Sequence, residues 1–439
     1  MAFHCGFLPD IIAVEVVTCQ IECAMVTRSD NERLTKVGPG TPMGGLMRRY
    51  WIPAAFSDQV AKPDSPPVRV RLMGEDLVLF RDSQGRLGLF DEFCPHRTAS
   101  MFFGRNEQGG LRCVYHGLKF DVTGQCVDLP CLPPNFAGDA ERIRSEIKIN
   151  AYPCLERGGV VWTYMGPRDM QPAFPDLEWT ALPASHRHAS RHIQDCNWLQ
   201  ALEGGFDAPH LTFLHVGDAE PSRSVVPSHY EVVATDFGFA VATGRDLGGP
   251  NIHWNINVML MPFHKIISTV PPAAHVWVPI DDGQTMLYSV EFRRDRPLDK
   301  KDLATMAEGH GIHTENIPGT DVAVRNKSND YLIDRDLQAS GKSYTGLKGF
   351  GIQDCAIQES MGPVANRTRE YLLPGDAAIV KLRRLLLRAL DDHAAGKPPP
   401  GMNPASYRVT SSRWEVAKGT DFAATIIDRL RANSTLPAK

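Results

Sequence analysis

Cys94-Pro-His96, then sixteen residues, then Cys113-Val-Tyr-His116 is the stretch that decides how this 439-residue chain is read. Each pair joins one thiol and one imidazole within a span short enough for a single loop tip. The two thiolates can hold one iron of a [2Fe–2S] cluster while the two imidazoles hold the other. That exchange of ligands raises the reduction potential well above that of an all-Cys cluster. A structural zinc site also accepts two Cys and two His. Zinc fingers, however, usually place a Cys pair first and a His pair later, and here each pair is mixed. The pattern favours a cluster held between two loops.

The sequence around these loops reads as short strands from Tyr50 to about Gly166. Val68-Arg-Val-Arg-Leu72 and Asp76-Leu-Val-Leu-Phe80 alternate or run apolar, and Asp82-Ser-Gln-Gly85 is a turn before Leu87-Gly-Leu-Phe90. Phe120-Asp-Val-Thr-Gly124 and Gly159-Val-Val-Trp-Thr-Tyr164 continue the pattern, which predicts a small antiparallel β-domain displaying two metal loops. Gly166-Pro167 and the Pro-rich stretch to Pro183 mark a boundary, giving domains 25–165 and 166–439. Residues 1–24 share no capping logic with the rest of the chain and are expected to be a poorly ordered extension or an upstream start. Met25 reads as a fresh beginning, with Ser29 as N-cap and Leu34 in the core. Gly38-Pro-Gly40-Thr-Pro-Met-Gly44 fails the spacing of a dinucleotide fingerprint and reads as a turn.

The second part mixes classes. Cys196–His215 reads as helical, Tyr230–Val233 with Phe239–Ala242 as a hairpin, and Val258–Met261, Ile266–Val270, His275–Pro279 and Met286–Phe292 as strands. Ala378–Ala395 carries a leucine stripe and ends at Gly396. The fold class is α+β, an antiparallel sheet with helices against it.

Composition sets outer bounds. Hydrophobic residues make up 43% and charged residues 22%, with 47 basic against 51 acidic side chains. Those values fit a soluble globular protein and give no sign of a nucleic-acid partner. No run approaches the roughly 18 apolar residues of a membrane span, and Ile11–Val17 is a poor signal peptide. Ten Cys show no pairing rhythm, which favours a reduced, cytoplasmic protein.

A second constellation lies in Asn197-Trp-Leu-Gln-Ala-Leu-Glu203-Gly-Gly-Phe-Asp207-Ala-Pro-His210-Leu-Thr-Phe-Leu-His215. Two imidazoles and a carboxylate on one face of Fe(II) leave positions open for O₂ and substrate. Residues five apart on an ideal helix point about 140° apart, so His210 and His215 can share a metal only if the helix is distorted or ends between them. Pro209 and Gly204-Gly205 offer that irregularity. Asp207, three residues before His210, is placed to accept from its other ring nitrogen. Asn197 is a further supporting candidate. The third ligand must come from elsewhere; Asp354, in Gly351-Ile-Gln-Asp354-Cys, is the candidate, with a solvated N-cap as the alternative. Phe206, Phe213, Trp254 and Met261 are candidate lining or plain core. Arg245 could grip a carboxylate or be a solvated strand-end arginine.

Both constellations, in this order and about a hundred residues apart, resemble the oxygenase (alpha) component of Rieske non-heme iron ring-hydroxylating oxygenases, more closely the phthalate 4,5-dioxygenase group. The likeness runs from about Met25 to Leu390. It includes Val37-Gly-Pro-Gly-Thr-Pro-Met-Gly-Gly-Leu-Met-Arg-Arg-Tyr-Trp-Ile-Pro53 and Gln353-Asp354 through Gln358-Glu-Ser-Met-Gly-Pro363. The resemblance implies a catalytic domain of helix-grip (START-like) form. It implies Cys94, His96, Cys113 and His116 as [2Fe–2S] ligands, and His210, His215 and Asp354 as ligands of mononuclear Fe(II). It makes Asp207 the bridge carrying electrons from the cluster of one subunit to the iron of its neighbour, hence a homotrimer or a multiple of one. Leu118 stands where many members have Trp. With no flavin or dinucleotide fingerprint here, electrons from NAD(P)H are expected through a separate flavin/iron–sulfur reductase. The implied reaction is cis-dihydroxylation of an aromatic carboxylate with O₂. O-demethylation of an aromatic ether is the alternative, and an electron carrier without catalysis is a third reading.

Overall fold

In the computed structural model, residues 26–216, 225–269, 271–309, 311–422 and 425–432 are described. The expectations for residues 1–24 and the end of the 266–270 strand at Val270 lie outside them. The N-terminal part is built from short antiparallel strands, as the alternation and turn signals predict. Val68–Leu72, Glu75–Arg81, Leu87–Asp91 and Ala151–Tyr152 form one four-stranded sheet. Arg105–Glu107, Gly110–Arg112, Lys119–Phe120 and Cys126–Asp128 form a second. Trp51–Phe56 pairs Val160–Tyr164, which pairs Cys154–Arg157. The turn at Asp82 closes as read: its Oδ1 accepts from the backbone N–H of Gln84 and Arg86, and Gly85 takes the left-handed conformation at φ +79°. Phe80, Phe90 and Phe120 are fully buried between the two four-stranded sheets and pack with Cys94 and Cys113.

The C-terminal part is organised on one eight-stranded antiparallel sheet. Its main path runs Arg187–Gln194, Thr285–Phe292, Ala273–Pro279, His264–Ile267, Asn251–Leu260, Gly238–Asp246, His229–Ala234, and Ser412–Ala417 pairs Asn251–Leu260. One face carries Trp277, Phe239 and Val241 against the helices Trp198–Phe206 and Ala377–Ala394, where Leu382, Leu386 and Leu390 are buried as the leucine stripe predicts. The other face carries Ile252, Trp254, Ile256 and Val258 against Tyr407, Phe422 and the Ile426–Ala432 helix. The fold is α+β, a small β-domain followed by a sheet gripped by helices.

Two local expectations are corrected, and one strand is added. The first helix is Arg28–Thr35, capped by Thr27, whose Oγ1 accepts from the Asp30 N–H, so Ser29 is inside the helix and not its cap. The turn at 38–41 leads into a helix, Pro42–Met47, capped by Thr41. Strand Arg187–Gln194 escaped the sequence reading because its inward residues are His188, Ser190 and His192, not an apolar row.

Candidate active site

The two cluster loops share one backbone design. In the first, the Cys94 N–H donates to the Ala99 carbonyl at 2.9 Å and the Thr98 N–H returns to the Cys94 carbonyl at 2.9 Å. In the second, the Cys113 N–H donates to Leu118 at 2.8 Å and the Gly117 N–H returns to Cys113 at 2.9 Å. Each loop closes through a left-handed residue, Thr98 at φ +55° and Gly117 at φ +81°. A Cβ on Gly117 would meet Pro130 at 2.6 Å, so glycine is required there for two reasons. The thiols lie inside and the imidazoles outside: Cys94 and Cys113 are buried, His116 is half-buried and His96 exposed, with the two imidazole centroids 4.5 Å apart. Burial pushes the Cys94 thiol up to about 11. Leu118 is buried in the same core, filling the position beside the thiols. Two inward sulfurs and two outward imidazoles, one of each per loop, suit a mixed-ligand [2Fe–2S] cluster.

The second group comes from two helical segments. Helix Trp198–Phe206 stops at Asp207, and after Pro209 a single turn, His210–Phe213, ends before His215. The required break is the end of that turn after Phe213, between the two histidines; a second break, at Asp207–Pro209, precedes His210. The Gly204-Gly205 pair is not the break. It allows close packing: a Cβ at Gly204 would meet the Gln358 amide at 2.4 Å, and one at Gly205 the Trp277 ring at 2.5 Å. Asp354 lies within the helix Phe350–Ser360, a full turn past the Gly349 N-cap, which rules out the solvated-cap alternative. Its Oδ1 is 3.3 Å from His215 Nε2 and 3.7 Å from His210 Nε2. Cis ligands at roughly 2.1 Å from a first-row metal lie about 3 Å apart, so the three donors need only small shifts to close on one ion. His210, His215 and Asp354 are the group of metal-type donors found within 4.8 Å of one another among the described residues. His215 Nε2 is buried with no hydrogen-bond partner among the described residues, as a donor atom turned to a metal would be. Burial alone would raise the Asp354 carboxyl, yet the His215, His210 and His275 imidazoles bring it below its ordinary value.

Neighbouring groups orient these donors. His215 Nδ1 is 2.7 Å from Gln353 Oε1, and the His215 ring stacks on Phe350 at 3.5 Å. The Gln353 amide nitrogen is committed to Leu347 O at 3.1 Å and Thr345 Oγ1 at 3.3 Å, so its oxygen must face the imidazole. His215 therefore carries its proton on Nδ1 and presents a lone pair at Nε2. Asp207 Oδ2 stands 3.7 Å from His210 Nδ1, an ion-pair distance and not a hydrogen bond, and the carboxylate side chain is 33% exposed. Desolvation opposes protonation of His210, but Asp207 and Asp354 outweigh it and raise its pKa. The helix bearing this segment is fixed by Glu203, whose carboxylate accepts from Arg367 Nη2 at 2.8 Å and Arg383 Nε at 2.7 Å.

Other sequence candidates fall elsewhere. Asn197 is the fully buried N-cap of Trp198–Phe206: its oxygen accepts from the Leu199 N–H at 3.1 Å, and its nitrogen donates to Thr35 O and Asp282 O. All its polar atoms are spent on backbone, so it supports the helix and not a ligand. Arg245 is 1% exposed, not a solvated strand end. Nε donates to Val225 O at 2.7 Å while Nη2 has no partner among the described residues, leaving only an end-on grip open to a carboxylate. Trp254 is on the opposite face of the sheet, stacked on Phe422, so it cannot line the site. Phe213 is exposed, and Phe206 and Met261 are core. Two residues were missed. Gln353 carried no motif of its own. Lys265 is half-buried on the inner face and lies 5.5 Å from the Phe206 ring centre, within electrostatic reach of His210 and His275; a charge within a short apolar strand was the available signal.

Residues 50–153 match the Rieske [2Fe-2S] domain family, and residues 163–432 match the family described as LigXa C-terminal domain like. The chain belongs to the Rieske non-heme iron oxygenases. It is 38% identical to the 3-chlorobenzoate-3,4-dioxygenase oxygenase subunit of Comamonas testosteroni, covering 92% of this chain and 99% of that one. Identity to the phthalate 4,5-dioxygenase oxygenase subunit of Pseudomonas putida is 36%, covering 91% and 94%. The 5,5'-dehydrodivanillate O-demethylase oxygenase subunit of Sphingobium is 30% identical, over 90% and 89%. The fold matches that of dicamba monooxygenase with a TM-score of 0.58 at 19% identity, covering 80% of this chain and 99% of that one. As a Rieske oxygenase component the chain is an oxidoreductase whose cofactors are a [2Fe–2S] cluster and a mononuclear iron. Among the described residues no helix is long and apolar enough to cross a membrane.

Proposed function

We propose that this chain is the terminal oxygenase of a multicomponent dioxygenase that cis-dihydroxylates an aromatic carboxylate, phthalate-like or a substituted benzoate, in aromatic catabolism. The observation that carries the reading is the meeting of His210, His215 and Asp354 over an inner sheet face that holds a cation, Lys265. The three donors would hold Fe(II), and Cys94, His96, Cys113 and His116 the cluster. Such an iron, with three protein ligands on one side, supplies open positions for O₂ activation beside the substrate. The residues around it do the positioning. Gln353 fixes the His215 tautomer, Glu203 with its two arginines holds the helix that ends at Asp207, and Lys265 attracts a substrate carboxylate into the site.

Asp207, a third exposed on the side of His210 away from Asp354, supports a role as electron bridge to a neighbouring subunit's cluster. A homotrimer or a multiple of one follows from that role. Electrons would come from NAD(P)H through a separate reductase with flavin and iron–sulfur groups, which places the enzyme in the cytoplasm. The test is turnover of candidate aromatic acids with a compatible reductase, NADH and ¹⁸O₂. Two labelled oxygens in a cis-diol support the dioxygenase reading. One labelled oxygen with release of formaldehyde replaces it with O-demethylation.

A further inference from the structure

Four buried polar groups next to the His210–His215–Asp354 site have hydrogen-bonding capacity that the described residues do not use. His192, His275, His313 and Ser289 are 1%, 9%, 1% and 0% exposed, yet His192 Nδ1, His275 Nε2, His313 Nε2 and Ser289 Oγ have no hydrogen-bond partner among the described residues. An orphaned buried polar atom is costly, and a cluster of four leaves capacity that a ligand or ordered water can satisfy.

Their placement is regular. Strand register puts Ser190 opposite Ser289, Ser289 opposite His275, and His275 opposite Lys265, so these four form one row across the inner face of the sheet. His188 and Glu291 form the start of the next row. His313 covers the far end: its Nδ1 is 2.6 Å from Ser190 Oγ, its ring is 4.9 Å from that of His188, and its Nε2 is 3.8 Å from Glu291 Oε1. His192 Nε2 contacts Cys355 Sγ at 3.2 Å, one residue from Asp354, and His275 is within electrostatic reach of Asp354 itself. The cluster therefore borders the metal site on one side and Lys265 on another.

The chemistry of the row changes along its length. Lys265 is a cation. Burial drives the His192 imidazole down to about 4 and those of His275 and His313 to about 3, while it raises the Glu291 carboxyl to about 7. A neutral imidazole and a serine hydroxyl each offer a donor and an acceptor, which suits a group that can both give and take a hydrogen bond. A carboxylate can only accept and belongs at the Lys265 end. Lys265 and Ser289 stand two strands apart, roughly 9–10 Å between their backbones, with His275 between them.

We propose that Ser289, His275 and His313 form a subsite for a neutral hydroxyl on the substrate ring, so that the preferred substrate is a hydroxylated aromatic acid. This rests on the aromatic-acid reading above and adds the second substituent to it. Calorimetric titration of the purified holoenzyme without reductase tests it, using 3- and 4-hydroxybenzoate against 3- and 4-methylbenzoate, which match in shape but cannot hydrogen-bond. At least one hydroxy acid is expected to bind about tenfold or more tighter than its methyl counterpart. In Ser289→Ala and in His275→Phe that ratio should fall below about threefold, with melting curves confirming that the variants fold. Equal binding of hydroxy and methyl acids, or a ratio that survives in both variants, overturns the proposal while leaving the aromatic-acid reading in place. If no acid binds, the aromatic-acid reading fails instead. The same comparison of phenol with fluorobenzene then decides the hydroxyl subsite separately: a preference for phenol lost in Ser289→Ala supports it, and no preference overturns it.

Discussion

Replacing Gln353 with Leu removes the hydrogen-bond acceptor that faces the His215 imidazole, at little change in volume. Gln353 is 1% exposed, accepts from His215 Nδ1 at 2.7 Å, and donates to Leu347 O and Thr345 Oγ1. The leucine leaves the Nδ1–H without a partner in a buried site and frees the ring to adopt the other tautomer, in which Nε2 carries the proton and cannot bind a metal. The stranded donor and the freed Leu347 carbonyl cost about 1–3 kcal/mol each in stability. Loss of the orienting bond should weaken iron retention by about 10–100-fold. Gln353→Glu keeps the acceptor and should retain more iron than the leucine variant, although it loses both donors. The assay is iron bound per cluster after dialysis against a graded chelator, with the cluster followed by its visible spectrum. Iron retention in Gln353→Leu equal to wild type would refute the tautomer argument.

Three other predictions rest on separate features. Asp207→Ala should keep both metals and the cluster spectrum but slow electron transfer from cluster to iron by about 10–100-fold, read by stopped-flow reoxidation of the reduced cluster. Glu203→Gln strands the buried Arg367 and Arg383 and should cost about 3–5 kcal/mol in denaturant melts. Burial works to raise the Glu203 carboxyl, but Arg367 and Arg383 hold it below its ordinary value. Its contribution is thus full above the ordinary carboxylate range near ~4.3 and fades as pH falls through the lowered native value, so the gap between wild type and variant should close in acid. Gly205→Ala forces a Cβ to 2.5 Å from Trp277 and should cost about 1–3 kcal/mol, measured the same way.

The cluster loops were legible because a loop that binds metal must present its ligands within a few residues, and mixed Cys/His pairs have few other uses. Strand Val68–Leu72 was legible because its side-chain alternation survives burial on one face, and Glu75–Arg81 and Leu87–Asp91 because each is a short apolar run, buried on both faces, with a turn between them. Strand Arg187–Gln194 was not, and the reason is functional: its inward His188, Ser190 and His192 border the active site where a core strand would carry apolar residues. The choice between lining and core for Trp254 stayed open for a related reason. On Asn251–Leu260 the apolar residues Ile252, Trp254, Ile256 and Val258 face the second core, while His253, Asn255 and Asn257 take the inner side. Period-two alternation marks two faces but does not say which one holds the site. Asp354 was found as a candidate, but its partnership with His215 depends on packing between segments far apart in the chain. No local pattern encodes that pairing.

The most direct test is a metal count on Asp354→Ala beside the wild type, each purified anaerobically with its cluster intact. If Asp354 completes the site with His210 and His215, the wild type should hold roughly three irons per chain, two in the cluster and one mononuclear. The variant should hold roughly two, with an unchanged cluster spectrum and no oxygenated product. A variant that keeps its third iron and still oxygenates substrate would contradict the assignment.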